Sequence, residues 1–85
     1  MTVKWRKSFS KDFNKLGPRQ KMAWYKAWLL FKDNTHHPKL RRHKLKGDYE
    51  GLESMDVTPD LRALFLETEK GYTFYFIKNH NQLYS

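Results

Sequence analysis

Apolar residues recur along this chain with two different periods. Phe9, Phe13 and Leu16 stand at the i, i+4, i+7 spacing of one helical face, and Ser8 ahead of them is a residue type that caps helix starts. Gly17-Pro18 ends that run, and Pro18 suits the first turn of a second helix reaching about Asn34. On a helical wheel Trp24, Trp28 and Phe31 lie beside Met22, Tyr25 and Leu29, covering about half the circumference at ~100° per residue. One packing face needs less. In a small protein the extra width is assigned to the core, with a partner-docking groove as the lesser alternative.

Beyond Pro38, which forbids helix continuation through the Thr35–Leu40 connection, the period becomes strand-like. His43–Lys46, Gly51–Thr58, Leu61–Thr68 and Tyr72–Asn79 are short runs separated by Gly47-Asp48, Pro59-Asp60 and Lys70-Gly71. Residues 2–7 alternate weakly around Val3 and Trp5, as a short strand does. Leu61–Leu66 and Tyr72–Ile77 are apolar at nearly every position, which fits central strands covered on both faces. The order predicts an α+β fold, with two N-terminal helices packed on one side of a twisted, mostly antiparallel sheet.

Eighty-five residues are read as one domain, 1–85, of modest stability. Three Trp, five Tyr and six Phe favour a packed core over disorder despite the high charge. The absence of Cys excludes disulfides and thiolate metal sites, and no stretch has the length of a signal peptide or membrane span. A cytoplasmic location without membrane association is the expectation. The net charge of +8 is unevenly spread. Residues 1–46 carry ten Lys and four Arg against Asp12 and Asp33, whereas the remainder carries Arg62, Lys70 and Lys78 against seven acids. A basic half of this strength points to a polyanion, of which nucleic acid is the commonest.

Metal-independent RNA cleavage needs a base for the 2′-hydroxyl, a cation for the phosphorane charge and an acid for the leaving 5′-oxygen. Arg62 enters an otherwise apolar strand, where it either faces a groove to meet phosphate or pairs with Asp56, Asp60 or Glu53. His43 stands inside the basic run from Arg41 to Lys46. Strand alternation places Arg41, His43 and Leu45 on one face and Arg42, Lys44 and Lys46 on the other. His43 is either a base among phosphate-collecting cations or a plain surface histidine. His80 follows the last strand, where a turn presents it beside Tyr84. Asp60 and Asp56 are candidates to orient a histidine or act as bases, and Asp60 is equally an ordinary turn acid. His36, His37, His43 and His80 lack metal-ligand spacing, so neither metal nor cofactor is expected.

His43-Lys44-Leu45-Lys46-Gly47, followed by Gly51, Ser54, Asp60-Leu61-Arg62 and His80…Leu83-Tyr84, closely resembles the RelE/ParE toxin superfamily, particularly its YafQ-like branch. The opening Phe9-Ser10-Lys11-Asp12-Phe13-Asn14-Lys15-Leu16 is also similar to the family, so the resemblance spans nearly the whole chain. It implies a RelE-like fold and an mRNA-cleaving toxin, often acting in the ribosomal A site without metal. By matching positions His43 becomes a base or substrate-positioning group, and Asp60 supports the histidines or shares the acid–base work. Arg62 steadies the scissile phosphate, His80 is the general acid, and Tyr84 stacks on a base or positions the phosphate. Arg41, Arg42, Lys44, Lys46 and Lys78 are the expected RNA ligands.

Two positions depart from the family pattern: Lys78-Asn79 replaces a frequent Gly-Thr, and Asp56 stands where relatives place a basic or histidine side chain. The implied partners are an acidic antitoxin, mRNA met in the A site of the 70S ribosome, and operator DNA reached through the antitoxin complex. The alternatives are a non-enzymatic ParE-like toxin acting on DNA gyrase, for which the histidine set has no use, and a basic nucleic-acid-binding module.

Overall fold

The two hydrophobic periods resolve into two layers. In the computed structural model, which describes residues 1–84, strand β1 (Thr2–Trp5) leads into helices α1 (Lys7–Asn14) and α2 (Pro18–Asp33). Strands β2 (His43–Lys44), β3 (Glu53–Asp56), β4 (Leu61–Thr68) and β5 (Gly71–Asn79) follow, and a short helix α3 (His80–Tyr84) closes the described chain. The sheet order is β1-β5-β4-β3-β2. Only the β1–β5 pair is parallel, because the two helices carry the chain back across the sheet. The α+β expectation therefore holds, as does the mostly antiparallel sheet.

The core lies between the helices and one sheet face. Phe9, Trp24, Ala27 and Phe31 from the helices meet Met55, Leu61, Ala63, Phe65, Tyr72, Phe74 and Ile77 from the strands. Phe31 and Phe74 are fully buried, and their rings meet edge-on 5.5 Å apart. Burying such a side chain contributes about 1.5–3 kcal/mol, so this aromatic cluster supplies much of the folding drive.

Three local expectations are corrected. Ser8 does not cap α1: its hydroxyl donates to the Tyr75 carbonyl, and the helix starts two residues earlier, at Lys7, with Arg6 at the N-cap position and its N–H bonded to Phe74 O at 2.9 Å. Met22, Tyr25 and Leu29 are not core, being 59%, 53% and 61% exposed. The α2 helix has a sheet on one side only, and the Trp24–Ala27–Phe31 stripe fills it. Finally, the helix-side core covers one face of β4 and β5 only; the other, the open face, carries no core helix, although Leu64 and Ser54 on it are fully buried.

A bulge explains why β5 read as continuously apolar. Leu64 pairs Phe76 and Phe65 pairs Phe74, so Tyr75 is an extra residue in the ladder. Its insertion flips the alternation. Tyr72 and Phe74 point to the core before it and Ile77 after it, which leaves Phe76 and Lys78 on the open face beside Leu64 and Arg62. Past the bulge α1 takes over from β1 as the neighbour of β5, with Asp12 Oδ2 accepting the Ile77 N–H at 3.1 Å.

Candidate active site

The open sheet face is built by register. Asp56 lies opposite Arg62, Arg62 opposite Lys78, and Ser54 opposite both Leu64 and His43. Side chains of directly paired residues share a face, so these converge on the surface away from the helices. Phe76 and Tyr49 add an aromatic floor, with their rings 5.6 Å apart.

His43 ends the linker on the exposed edge strand. Its Nδ1 lies 3.1 Å from the Arg41 carbonyl oxygen. A carbonyl only accepts, so Nδ1 is the donor in this contact and Nε2 is the ring nitrogen left for substrate. A groove of about 400 Å³ runs from His43, Lys44 and Lys46 past Tyr49 to Leu83 and Tyr84. Lys44 and Lys46 thus line the same groove as His43, although simple alternation put them on the other face. The strand stops at Lys44, and Gly47, at φ 72, turns the chain there in a conformation that L side chains rarely adopt.

His80 opens α3 instead of sitting in a turn. Asn79 caps that helix: its Oδ1 accepts the Gln82 N–H and Gln82 Oε1 accepts the Asn79 N–H, both at 2.8 Å. Asn79-x-x-Gln82 is a capping-box spacing present in the sequence, and it was the missed signal for the helix. Asp60 completes the anchor, its carbonyl and carboxylate oxygens lying 3.0 and 3.3 Å from the His80 amide nitrogen. Asp60 therefore holds the backbone of His80 and makes no hydrogen bond to an imidazole. The exposed His80 ring lies 4.6 Å from that of Tyr84, one helical turn on. His43, Arg62 and His80 share no hydrogen bond with one another.

Arg62 is set deeper, its side chain 17% exposed. Its Nε is 3.3 Å from Asp56 Oδ1, close enough for ionic attraction but misaligned for a hydrogen bond. Its Nε and Nη1, Asp56 Oδ1 and Ser54 Oγ are all buried without a hydrogen-bond partner. Of the ion-pair alternatives read from sequence, Asp56 is the one realised. Tyr49 escaped notice as a groove residue because the turn after Lys46, and no sequence period, brings it there.

Two expected RNA ligands are engaged elsewhere. Arg42, at 7% side-chain exposure, donates to Glu53 from Nε and Nη2, to Glu67 at 3.0 Å and to the Thr35 carbonyl. Its guanidinium also lies over the Phe65 ring at 4.9 Å. Burial pulls its pKa down, but hydrogen bonds with Glu53, Glu67 and Tyr72 and the charge of Glu53 outweigh this, and the net shift is upward. Arg42 is a structural plug on the helix side of the sheet, and its assignment to RNA is withdrawn. Lys78 points to the open face but pairs with Asp12 at 3.1 Å, so its charge is neutralised locally. Arg41 remains on the open face, with Nε 3.7 Å from Asp56 Oδ2 and 77% of its side chain exposed.

No protein-family model matches this sequence, and no curated protein does. Solved structures do match. YafQ from E. coli strain BL21(DE3) is 22% identical over 99% of this chain and 98% of that one, with a TM-score of 0.77. YafQ in the E. coli DinJ–YafQ toxin–antitoxin complex is 24% identical over 99% and 97%, at 0.72. A YoeB/ParE toxin from Agrobacterium tumefaciens is 18% identical over 94% and 99%, also at 0.72. The chain has the RelE/YafQ-like toxin fold. At these identities the match establishes the fold alone.

Proposed function

We propose that this chain is the toxin of a toxin–antitoxin pair, a single-domain cytoplasmic endoribonuclease that cleaves mRNA by metal-independent acid–base catalysis, in association with the ribosome. The observation carrying this reading is the composition of the open face. His43 lines one groove with Lys44, Lys46 and Tyr84, the exposed His80 ring lies against Tyr84, and Arg62 stands on the sheet face that His43 shares through Ser54. His43 Nε2 takes the proton of the 2′-hydroxyl, and the 2′-oxygen attacks phosphorus. Arg62 stabilises the charge gathering on the phosphorane oxygens. The bond to the 5′-oxygen breaks, and His80 gives that oxygen its proton, leaving a 2′,3′-cyclic phosphate and a 5′-hydroxyl. Lys44, Lys46 and Arg41 hold the RNA backbone, Tyr84 stacks on a base, and Asp60 fixes the helix that presents His80.

An acidic antitoxin is the inferred protein partner, consistent with the basic first half of the chain and with the toxin–antitoxin complex formed by the structurally similar YafQ. Operator DNA is bound through that complex. The test is RNA cleavage by purified protein on a defined mRNA, with and without translating ribosomes, reading the 3′ ends. Cuts ending in 2′,3′-cyclic phosphate and lost in His80→Ala establish the reaction, and ribosome dependence locates it. A protein that arrests growth yet cuts no RNA in either condition defeats the nuclease reading and favours ParE-like action on gyrase, since a YoeB/ParE toxin shares this fold.

A further inference from the structure

We propose that Asp56 is a positioning residue which holds Arg41 and Arg62 together as a two-arginine clamp for a single RNA phosphate; this rests on the nuclease reading above. The two oxygens of one carboxylate are divided between the guanidinium groups, Oδ2 to Arg41 at 3.7 Å and Oδ1 to Arg62 at 3.3 Å. Neither arginine is locked. The first separation is too long for a hydrogen bond and the second is misaligned, whereas Arg42, next to Arg41 in sequence, is closed on its carboxylates at 2.9–3.0 Å. Asp56 thus tethers its two cations by charge without closing a hydrogen bond on either; Arg41 is exposed, while the unpaired Arg62 Nε and Nη1 are themselves buried.

The charge count fits a phosphodiester. Two arginines and one carboxylate leave a single positive charge, and Lys78 beside them is already neutralised by Asp12. The backbone is also shaped to this end. Arg41 has φ 48 and ψ 49, the only left-handed non-glycine residue among those described, directly after the fully buried Leu40. In that conformation its side chain reaches Asp56 while its carbonyl fixes the His43 ring. One residue therefore joins the proton-accepting and phosphate-holding sides of the groove.

The test turns on a sign. If Asp56 were only an acid near a polyanion, Asp56→Asn would bind RNA more tightly and cleave it no worse. For a positioning residue, kcat falls roughly tenfold or more while KM stays equal or drops. The binding readout uses a 2′-deoxy-substituted, uncleavable oligonucleotide with Arg41→Ala, Arg62→Ala and the double variant, in wild-type and Asp56→Asn backgrounds. Arg41 is exposed, so its removal does not threaten the fold. The clamp requires non-additive losses in the wild-type background that become additive in Asp56→Asn. Additive losses in both backgrounds, with RNA bound and cut, overturn the clamp and leave the nuclease standing. Persisting coupling in Asp56→Asn, with the acidic limb of the pH–rate profile abolished, makes Asp56 a base and overturns the positioning role. Wild-type protein that neither binds nor cuts RNA removes both readings together.

Discussion

The two faces of the sheet use the same strands for opposite purposes. On the helix side the core aromatic rings interlock, and the buried Arg42 is satisfied by Glu53 and Glu67. On the open side polar groups are collected and left incomplete, with Arg62, Asp56 and Ser54 all carrying buried atoms that make no hydrogen bond. A buried unpaired polar group costs about 1–3 kcal/mol, which the interlocked face must offset. On the proposed reading, stability and chemistry are separated by the thickness of one sheet.

That separation can be broken from either side. The largest expected effects are on the open face: His80→Ala and Arg62→Ala should each lower RNA cleavage by at least ~10²-fold and abolish growth arrest, with the circular dichroism spectrum unchanged. Wild-type toxicity in either variant would sink the assignment of chemistry to this face. On the covered face Phe31→Ala should remove about 3–5 kcal/mol by urea denaturation, since its fully buried ring meets Phe65, Tyr72 and Phe74. A native-like midpoint for that variant would show that the core is not where the stability resides.

The neighbouring cations sharpen the contrast. Arg42→Met should destabilise by about 3 kcal/mol, because it leaves Glu53 and Glu67 without their shared cation, and should leave the salt dependence of RNA binding unchanged. Lys44→Ala should do the reverse, keeping stability while reducing the log–log salt slope by about 0.7. Since the Arg42 pKa is raised on folding, its contribution is present below the unfolded value and lost only as pH climbs through the folded one. That window lies at extreme alkalinity, so the Arg42 lock should persist across ordinary buffers. A thermal melt of Arg42→Met against wild type from neutral to mildly alkaline pH should show a constant gap. The smallest effect belongs to Leu29→Ser, expected to stay within about 0.5 kcal/mol because that side chain already faces solvent.

The candidate residues of the proposed site stand out in the sequence by type. Arg62 in an apolar strand, His43 in a basic run and His80 with Tyr84 were all conspicuous, and the fold places each on or beside the open face. Arg41 and Arg42 were not separable, since two adjacent arginines differ only in which way the chain turns between them. The width of the α2 apolar stripe was misleading for a similar reason. A wheel shows which residues share a face but not how many layers surround the helix.

The order of elements, the α+β class, the basic first half and the candidate chemical groups follow from the sequence alone, because periodicity, proline and glycine positions and charge are local properties. The shift of parity at Tyr75, the pairing of Asp56 with Arg62, the capture of Arg42 by Glu53 and of Lys78 by Asp12 belong to the tertiary structure. Each joins residues brought together by strand register or helix packing. Whether a cation serves the fold or the groove depends on which carboxylates lie within a few ångströms, and that distance exists only once the chain has folded.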